Sequence, residues 1–404
     1  MILSDIAEYV TERVNSDKIT LNQYVTTDSL LQNKRGRQTA QNLPPIPCVL
    51  TSYSQGDILI SNIRPYLKKI WFADSNGGCS TDVLVFRAKK GHSSNFLFAL
   101  LMQDAFFSYM MQGSKGSKMP RGDKNQIMHY KVPTFSSFEE ENIGNIIVNI
   151  ERKIALNRQI NDNLEAMARQ LYDYWFVQFD FSDENGRPYK SSGGKMVWNE
   201  KLKQNIPMGW IVEDISKIAD VYNGATPSTK EEQNYGGNIV WITPKDLSDQ
   251  KSKFVYYGER NITQKGYDSC STHMLPIGTV LMSSRAPIGL LSIAKSELCT
   301  NQGFKSFVSK KETLGSYLYY YILLHIKQIE QLGTGTTFKE ISRDDVMTYP
   351  ILVPKEELLN KWAEFVFPID NRQFEIQQEN NKLTKQRDEL LPLLMNGQAT
   401  VNSD

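Results

Sequence analysis

Cysteine is scarce in this chain, and none of it is paired by spacing. Cys48, Cys79, Cys270 and Cys299 lie far apart in 404 residues without a CxxC pair. That argues against a disulfide framework or a zinc site and for a reducing cytoplasm. The four histidines, His92, His129, His273 and His325, form no metal-spaced pair, so no metal is expected. No apolar run approaches the roughly 18 residues of a membrane span. Met1-Ile2-Leu3-Ser4-Asp5 is not a basic stretch leading into an apolar one, so no secretory signal is expected. A GxxxxGK[ST] phosphate loop is missing, which excludes a motor ATPase of that kind. Asn42-Leu43-Pro44-Pro45-Ile46 has an inserted leucine and no aromatic where an amino-methyltransferase site would need one. Charge of one sign is missing as well: 46 basic and 45 acidic residues leave a net +1. Binding to phosphates would therefore have to come from local clusters.

What is present is an internal repeat with a period near 220 residues. Gly56-Asp57-Ile58-Leu59-Ile60-Ser61 matches Gly278-Thr279-Val280-Leu281-Met282-Ser283, and Arg64 then matches Arg285. Cys79-Ser80 matches Cys299-Thr300, each leading to a lysine pair. Gly113-Ser114-Lys115-Gly116-Ser117 matches Gly333-Thr334-Gly335-Thr336-Thr337. Common order and offset make these short matches significant. Each repeat opens with short alternating runs broken by Gly, Pro and Asn, which reads as β-rich with some helix, at 96–111 and 317–332. A duplicated structural domain without a binding role would leave the same trace.

Each repeat closes with one long helix. The first begins near Ser137, with Glu139, Glu140 and Glu141 where acidic groups suit the helix dipole. Its seam runs Ile143, Ile147, Ile150, Ile154, Asn157, Asn161, Leu164, Ala168, Leu171, Trp175 in steps of four and three. Shifted by 219 residues, the second seam reads Trp362, Val366, Ile369, Gln373, Ile376, Asn380, Leu383, Arg387, Leu390, Leu394. Two such seams should pair, and an antiparallel pairing would put one globular part at each end of a strut roughly 50 Å long. Pro368 predicts a kink or a fresh start in the second helix.

Candidate DNA contacts lie in three pairs of loops. The first pair is a glycine-bearing basic loop with Lys115, Ser117, Lys118, Arg121 and Lys124, and its counterpart with Thr334, Thr336, Thr337, Lys339 and Arg343. Such side chains reach phosphates or base edges, and glycines let backbone N–H groups approach. The second pair holds Arg64 and Lys68, against Ser284 and Arg285. The third holds Lys34, Arg35 and Arg37, against Thr226, Ser228 and Lys230. Taken singly, any of these loops reads equally as a solvated turn. Loops of one shape with different side chains are what reading two different half-sites requires.

The segments Pro207-Met208-Gly209-Trp210, Gly224-Ala225-Thr226-Pro227-Ser228, Trp241-Ile242-Thr243-Pro244-Lys245-Asp246-Leu247 and Leu390 through Gly397 resemble specificity subunits of type I restriction-modification systems. The resemblance covers essentially the whole chain and is weaker in the first repeat. It implies an α+β fold with two tandem β-rich target-recognition domains, each followed by a long helix, and an antiparallel coiled coil of the two helices. The corresponding boundaries are 1–136 and 206–354 for the recognition domains, 137–178 and 355–397 for the helices, 179–205 for a linker and 398–404 for a tail. It implies a non-catalytic subunit that reads a bipartite target in double-stranded DNA and docks two methyltransferase subunits and motor-nuclease subunits. S-adenosylmethionine, ATP and magnesium would belong to those partners and none to this chain. A self-contained methyltransferase or nuclease and a purely structural adaptor are the competing readings.

Overall fold

A computed structural model describes residues 1–285, 287–334 and 339–399. The chain divides into two compact units, Met1–Gln159 with Gln378–Asp404, and Ile160–Gln377. Both long helices contribute to both units.

The first unit is built on a four-stranded sheet in the order Ala7–Tyr9, Val83–Ala88, Ile58–Ser61, Ile70–Phe72, with every neighbour antiparallel. Its central strands are buried on both faces, which explains the apolar run Ile58-Leu59-Ile60. A smaller sheet, in the order Arg13–Asn15, Val49–Tyr53, Gly77–Cys79, Tyr24–Val25, packs nearby. The stretch 96–111, expected as one helix, is two, Ser94–Leu101 and Asp104–Gln112. The second starts afresh because Gln103 is extended and turns the chain.

The first long helix begins at Ser137, as its acidic first turn predicts, and runs to Tyr172 before a short π-helical turn at Asp173–Val177. Glu140 does more than meet the helix dipole: it is buried and accepts from the Ser93 backbone N–H at 3.2 Å beside the His92 ring at 3.0 Å. Ile143 and Ile147 of this helix and Leu391, Leu394 and Met395 of the second join one core with Ile58, Phe86 and Phe96. Two bonds set the helix direction within this unit: Arg387 donates to Glu151 at 2.6 Å, and Asn157 donates to Asn380 at 3.1 Å. Numbers rise on one segment as they fall on the other, so the two run antiparallel here.

Gly144 brings this helix backbone-to-backbone against the start of the helix Ser94–Leu101. A Cβ at Gly144 would lie 2.4 Å from the Phe96 nitrogen and 2.5 Å from the Asn95 carbonyl carbon. In an exposed helix, Gly→Ala stabilises by about 1 kcal/mol. Here the obstacle is backbone, so Gly144→Ala is expected to destabilise by about 1–3 kcal/mol, read as a lower urea midpoint. A raised midpoint would disprove the close approach.

The second unit repeats the architecture. Its main sheet has the order Ala219–Asn223, Phe304–Ser309, Val280–Ser284, Ile288–Ala294, Phe254–Val255, and a three-stranded sheet joins Arg260–Ile262, Tyr235–Ile242 and Cys299–Thr300. The stretch 317–332 belongs to one helix, Glu312–Gln331, with Leu332 as its C-cap. Sheet register corrects one detail of the repeat. Thr26 and Thr243 each donate a backbone N–H to the side chain three residues on, Ser29 and Asp246, which makes the preceding Val25 and Ile242 equivalent. Val25 pairs with Cys79, but Ile242 pairs with Thr300, not Cys299. Backbone bonds agree: Ser80 donates to Val25 and Asn301 to Ile242. The stretch 179–205, read as linker, contains Met196–Asn199 and the first half of Gln204–Pro207, paired as a hairpin.

The second long helix, Glu356–Met395, continues through Pro368, so the proline does not start a fresh helix. Pro368 and Glu364, whose carbonyl loses its partner, both lie on the exposed side, where water replaces the missing bond. Trp362 and Val366 pack with Ala168, Tyr172, Trp175 and Phe176 in the core of this unit. Of the twenty seam residues, Ile150, Ile154, Asn161, Leu164, Leu171, Ile369, Ile376, Asn380, Leu383 and Leu390 among them, none is exposed. Among the described residues no helix is long and apolar enough to cross a membrane.

Candidate nucleic-acid interface

In the first unit three loops meet where the strand Ile58–Ser61 ends and Val83–Ala88 begins. Asn62 N–H donates to Asp82 at 2.8 Å, Arg64 N–H to Pro120 at 2.8 Å, and Gly122 N–H to Asn62 at 3.2 Å. The loop after Ser61 and the basic loop 113–124 are thereby knitted together. The third loop joins through Asn33 N–H to Leu67 at 2.9 Å and Lys34 N–H to Lys68 at 2.8 Å. Asn33, Lys34, Arg64 and Lys68 all have φ between 50° and 59°, a left-handed conformation costly for side chains with a Cβ. Strain of this kind persists only where the surrounding bonds over-determine it.

Within the basic loop, Lys115 and Arg121 exchange two backbone hydrogen bonds of 3.0 Å, making a small hairpin. Asp123 caps the next short helix by accepting from Asn125 and Gln126. Those N–H bonds hold its carboxyl below the ordinary value, so it stays charged 3.5 Å from Lys115. Arg121 is anchored to Asp82 at 3.0 Å and stays more than half exposed. Arg64, Ser117, Lys118 and Lys124 are exposed too.

Other predicted contacts are committed elsewhere. Lys34 is buried, with its ammonium 2.7 Å from Asp104, and Lys68 reaches the same carboxylate at 2.8 Å. Burial needs that pairing, because an unpartnered interior ammonium is costly. Arg37 lies 4.3 Å over the Trp71 ring and donates to the Asn22 carbonyl at 2.7 Å. Arg35 is half-buried and its carbonyl accepts from Arg158 at 2.8 Å. These four shape the loop base and do not stand out at its surface.

The second unit brings its loops to the equivalent strand ends. Ser284 N–H donates to Gly303 at 2.8 Å and Ile341 N–H to Ser284 at 3.1 Å. Ala225 N–H donates to Thr300 at 3.0 Å, and the Thr226 hydroxyl bonds Gln302. Gly224 allows this approach: a Cβ there would lie 2.1 Å from the Thr300 carbonyl oxygen. Thr334 and Glu340 exchange backbone bonds of 3.1 and 3.0 Å, repeating the hairpin of Lys115 and Arg121.

Thr226, Ser228, Lys230, Thr334 and Lys339 are exposed, and Arg285 is half-buried 4.0 Å from Glu340. Ser284 is fully buried at a strand end, so its hydroxyl is not presented. Arg343 donates from Nε to the Val221 carbonyl at 2.6 Å, tying its short helix to the sheet. Thr336 and Thr337 lie outside the described residues.

Residue matching alone missed Asp82, Gln302, Lys305 and Glu340. Lys305 is buried, with its ammonium 3.8 Å from Glu340; burial, against the Glu340 charge, pulls its pKa below the ordinary lysine value. The signal for Glu340 lay in the hairpin alignment. The bond patterns align the loops at an offset of 219, one less than the glycine match suggests. Among the described residues no group of three or more His, Cys, Asp or Glu is arranged to hold a metal ion.

The sequence model of the family described as "Type I restriction modification DNA specificity domain" matches residues 7–166 and again 207–385. The chain is similar to the MjaIX type I restriction enzyme specificity subunit of Methanocaldococcus jannaschii. Identity is 38% over 183 residues, spanning 44% of this chain and 42% of that protein. It is 24% identical to the HindI type I restriction enzyme specificity subunit of Haemophilus influenzae, over 98% of each chain. Among solved structures, the type I restriction-modification S subunit from M. genitalium shares the fold, with a TM-score of 0.62 at 13% identity, over 100% of this chain and 96% of that one.

Proposed function

The chain belongs to the family of type I restriction-modification DNA specificity domains, and on that premise we propose that its two units read the two parts of a split DNA sequence. The observation that carries this is the meeting, in each unit, of two loops at equivalent strand ends, Gly122 on Asn62 and Ile341 on Ser284, with exposed hydroxyl and basic side chains nearby that differ between the units. Arg64, Lys115, Lys118, Arg121 and Lys124 serve the first part; Thr226, Ser228, Lys230, Arg285, Thr334 and Lys339 serve the second. Cations at loop tips replace phosphate counterions, and side chains that reach base edges supply selection.

The same reading extends to the rest of the assembly. The long helices pair as an antiparallel coiled coil and set the unread gap. Their outer faces dock two methyltransferase subunits, which motor-nuclease subunits join. S-adenosylmethionine, ATP and magnesium act on those partners, in the cytoplasm, and this chain binds none of them.

The test uses the chain assembled with its methyltransferase partner. Binding to duplex carrying the target should fall steeply as salt rises. Arg121→Ala and Lys339→Ala should each weaken it, the first through one half-site and the second through the other. A base contact costs about 1–3 kcal/mol and relaxes one position, while a phosphate contact weakens all sequences alike. Equal losses on every duplex from both variants would show that these loops do not select bases. Tight S-adenosylmethionine binding by the chain alone would favour a self-contained enzyme instead. Mapping genome methylation with and without the gene identifies the target.

A further inference from the structure

The two hairpins place opposite charges at one position. Arg121 bonds across to Lys115 and Glu340 across to Thr334, and the residue after each donates to the strand-end carbonyl of Asn62 or Ser284. Arg121 and Glu340 are therefore equivalents. Arg121 is 56% exposed and paired with Asp82 at 3.0 Å; Glu340 is 46% exposed. The carboxylate of Glu340 lies 3.8 Å from Lys305 and 4.0 Å from Arg285, separations too long for hydrogen bonds. These cations flank the carboxylate near the loop base without occupying its lone pairs.

A carboxylate among loops that approach DNA gains nothing from phosphates, which repel it. Its chemistry is that of an acceptor. In the major groove the cytosine N4 amino group is the donor that suits a Glu side chain, as guanine O6 and N7 suit arginine. We propose that Glu340 selects cytosine in the half-site read by the second unit, at the place where Arg121 selects guanine in the other. The exchange makes the two half-sites differ at equivalent positions. This rests on the reading of these loop ends as the DNA-facing surface.

The experiment selects duplexes from a fully randomised pool with the assembled methyltransferase complex, comparing the unaltered chain with Glu340→Gln and Glu340→Asp. Glu340→Gln keeps shape but adds a donor, and should relax a single G·C position in one half-site, with preference there falling by roughly 5- to 150-fold. The other half-site should be unchanged. Glu340→Asp keeps an acceptor-only carboxylate and should retain cytosine at that position. Arg121→Gln should relax one position in the opposite half-site. Unchanged selection by Glu340→Gln overturns the proposal, as does relaxation at an A·T position. A uniform gain on all duplexes would mean that Glu340 only repels phosphate, and a uniform loss that it only supports the loop; either also overturns it. If the unaltered complex selects no sequence, the DNA-reading assignment itself fails and this proposal falls with it.

Discussion

Lys253→Met is expected to lower the unfolding free energy by about 3–5 kcal/mol, the cost of stranding buried charge. The Lys253 side chain is only 8% exposed, and its ammonium, with three N–H donors, has four oxygens within hydrogen-bonding distance: Asp370 at 2.7 Å, Glu165 at 3.1 Å, Gln373 at 3.1 Å and the Tyr320 hydroxyl at 2.6 Å. Glu165 belongs to the first long helix and Asp370 and Gln373 to the second, so one side chain ties the sheet region of this unit to both helix segments. Burial raises the Asp370 carboxyl above its ordinary value even with Lys253 so near. Removing the cation leaves two carboxylates without it, in a site already costly for charge. Urea unfolding reads the loss. Adding Asp370→Asn and Glu165→Gln to Lys253→Met should recover much of it, since a site with no buried charge can be as stable as a paired one. A methionine variant as stable as the original chain would show that the ammonium is dispensable.

Trp362→Ala should cost a similar amount, about 3–5 kcal/mol. The indole is fully buried, with ring centroids 5.4 Å from Phe176 and 5.6 Å from both Tyr172 and Tyr320. Tyr172 and Phe176 come from the first long helix and its π-helical end, so this ring is where the two helix segments lock in the second unit. Its N–H also donates to Ser316 at 3.2 Å, and losing it leaves that buried hydroxyl short of a partner. Trp362→Phe keeps part of the packing and should lose less. Thermal unfolding measures both; an alanine variant melting with the original chain would remove this ring cluster from the account of stability.

The seam shows how the repeat constrains packing without dictating residues. Trp362 stands where the first helix has Ile143, and both are buried. The second unit fills that place with an aromatic cluster, the first with aliphatic side chains and phenylalanines. Periodicity specifies which positions face inward, whereas side-chain volume is settled by what lies opposite.

Local chemistry was enough to locate the two β-rich parts, the first helix start at Ser137 and the inward positions of both long helices. All depend on signals within a few turns of chain: an acidic first turn, steps of three and four, alternation between glycines. The repeat itself was legible because the same strand and loop residues recur in the same order. Register within the repeat was not. The glycine match set the reading hairpins one residue out, which hid the exchange of Arg121 for Glu340, and the cysteine match set Cys79 against Cys299 where sheet pairing sets it against Thr300. Pairing is decided by backbone bonds between distant segments, and a one-residue slip leaves composition unchanged.

Tertiary structure alone decided which basic residues are available. Lys34, Arg37 and Lys124 look alike as sequence, yet Asp104 holds Lys34 inside, Trp71 covers Arg37, and Lys124 stands in solvent. A lysine's charge is a property of the residue, but its availability depends on whether a carboxylate or ring from elsewhere in the chain has already claimed it. The sequence by itself determined that there are two repeats of one design, each followed by a helix with an inward stripe. Folding decided which loops meet and which charges stay at the surface, because those depend on contacts between residues far apart in the chain.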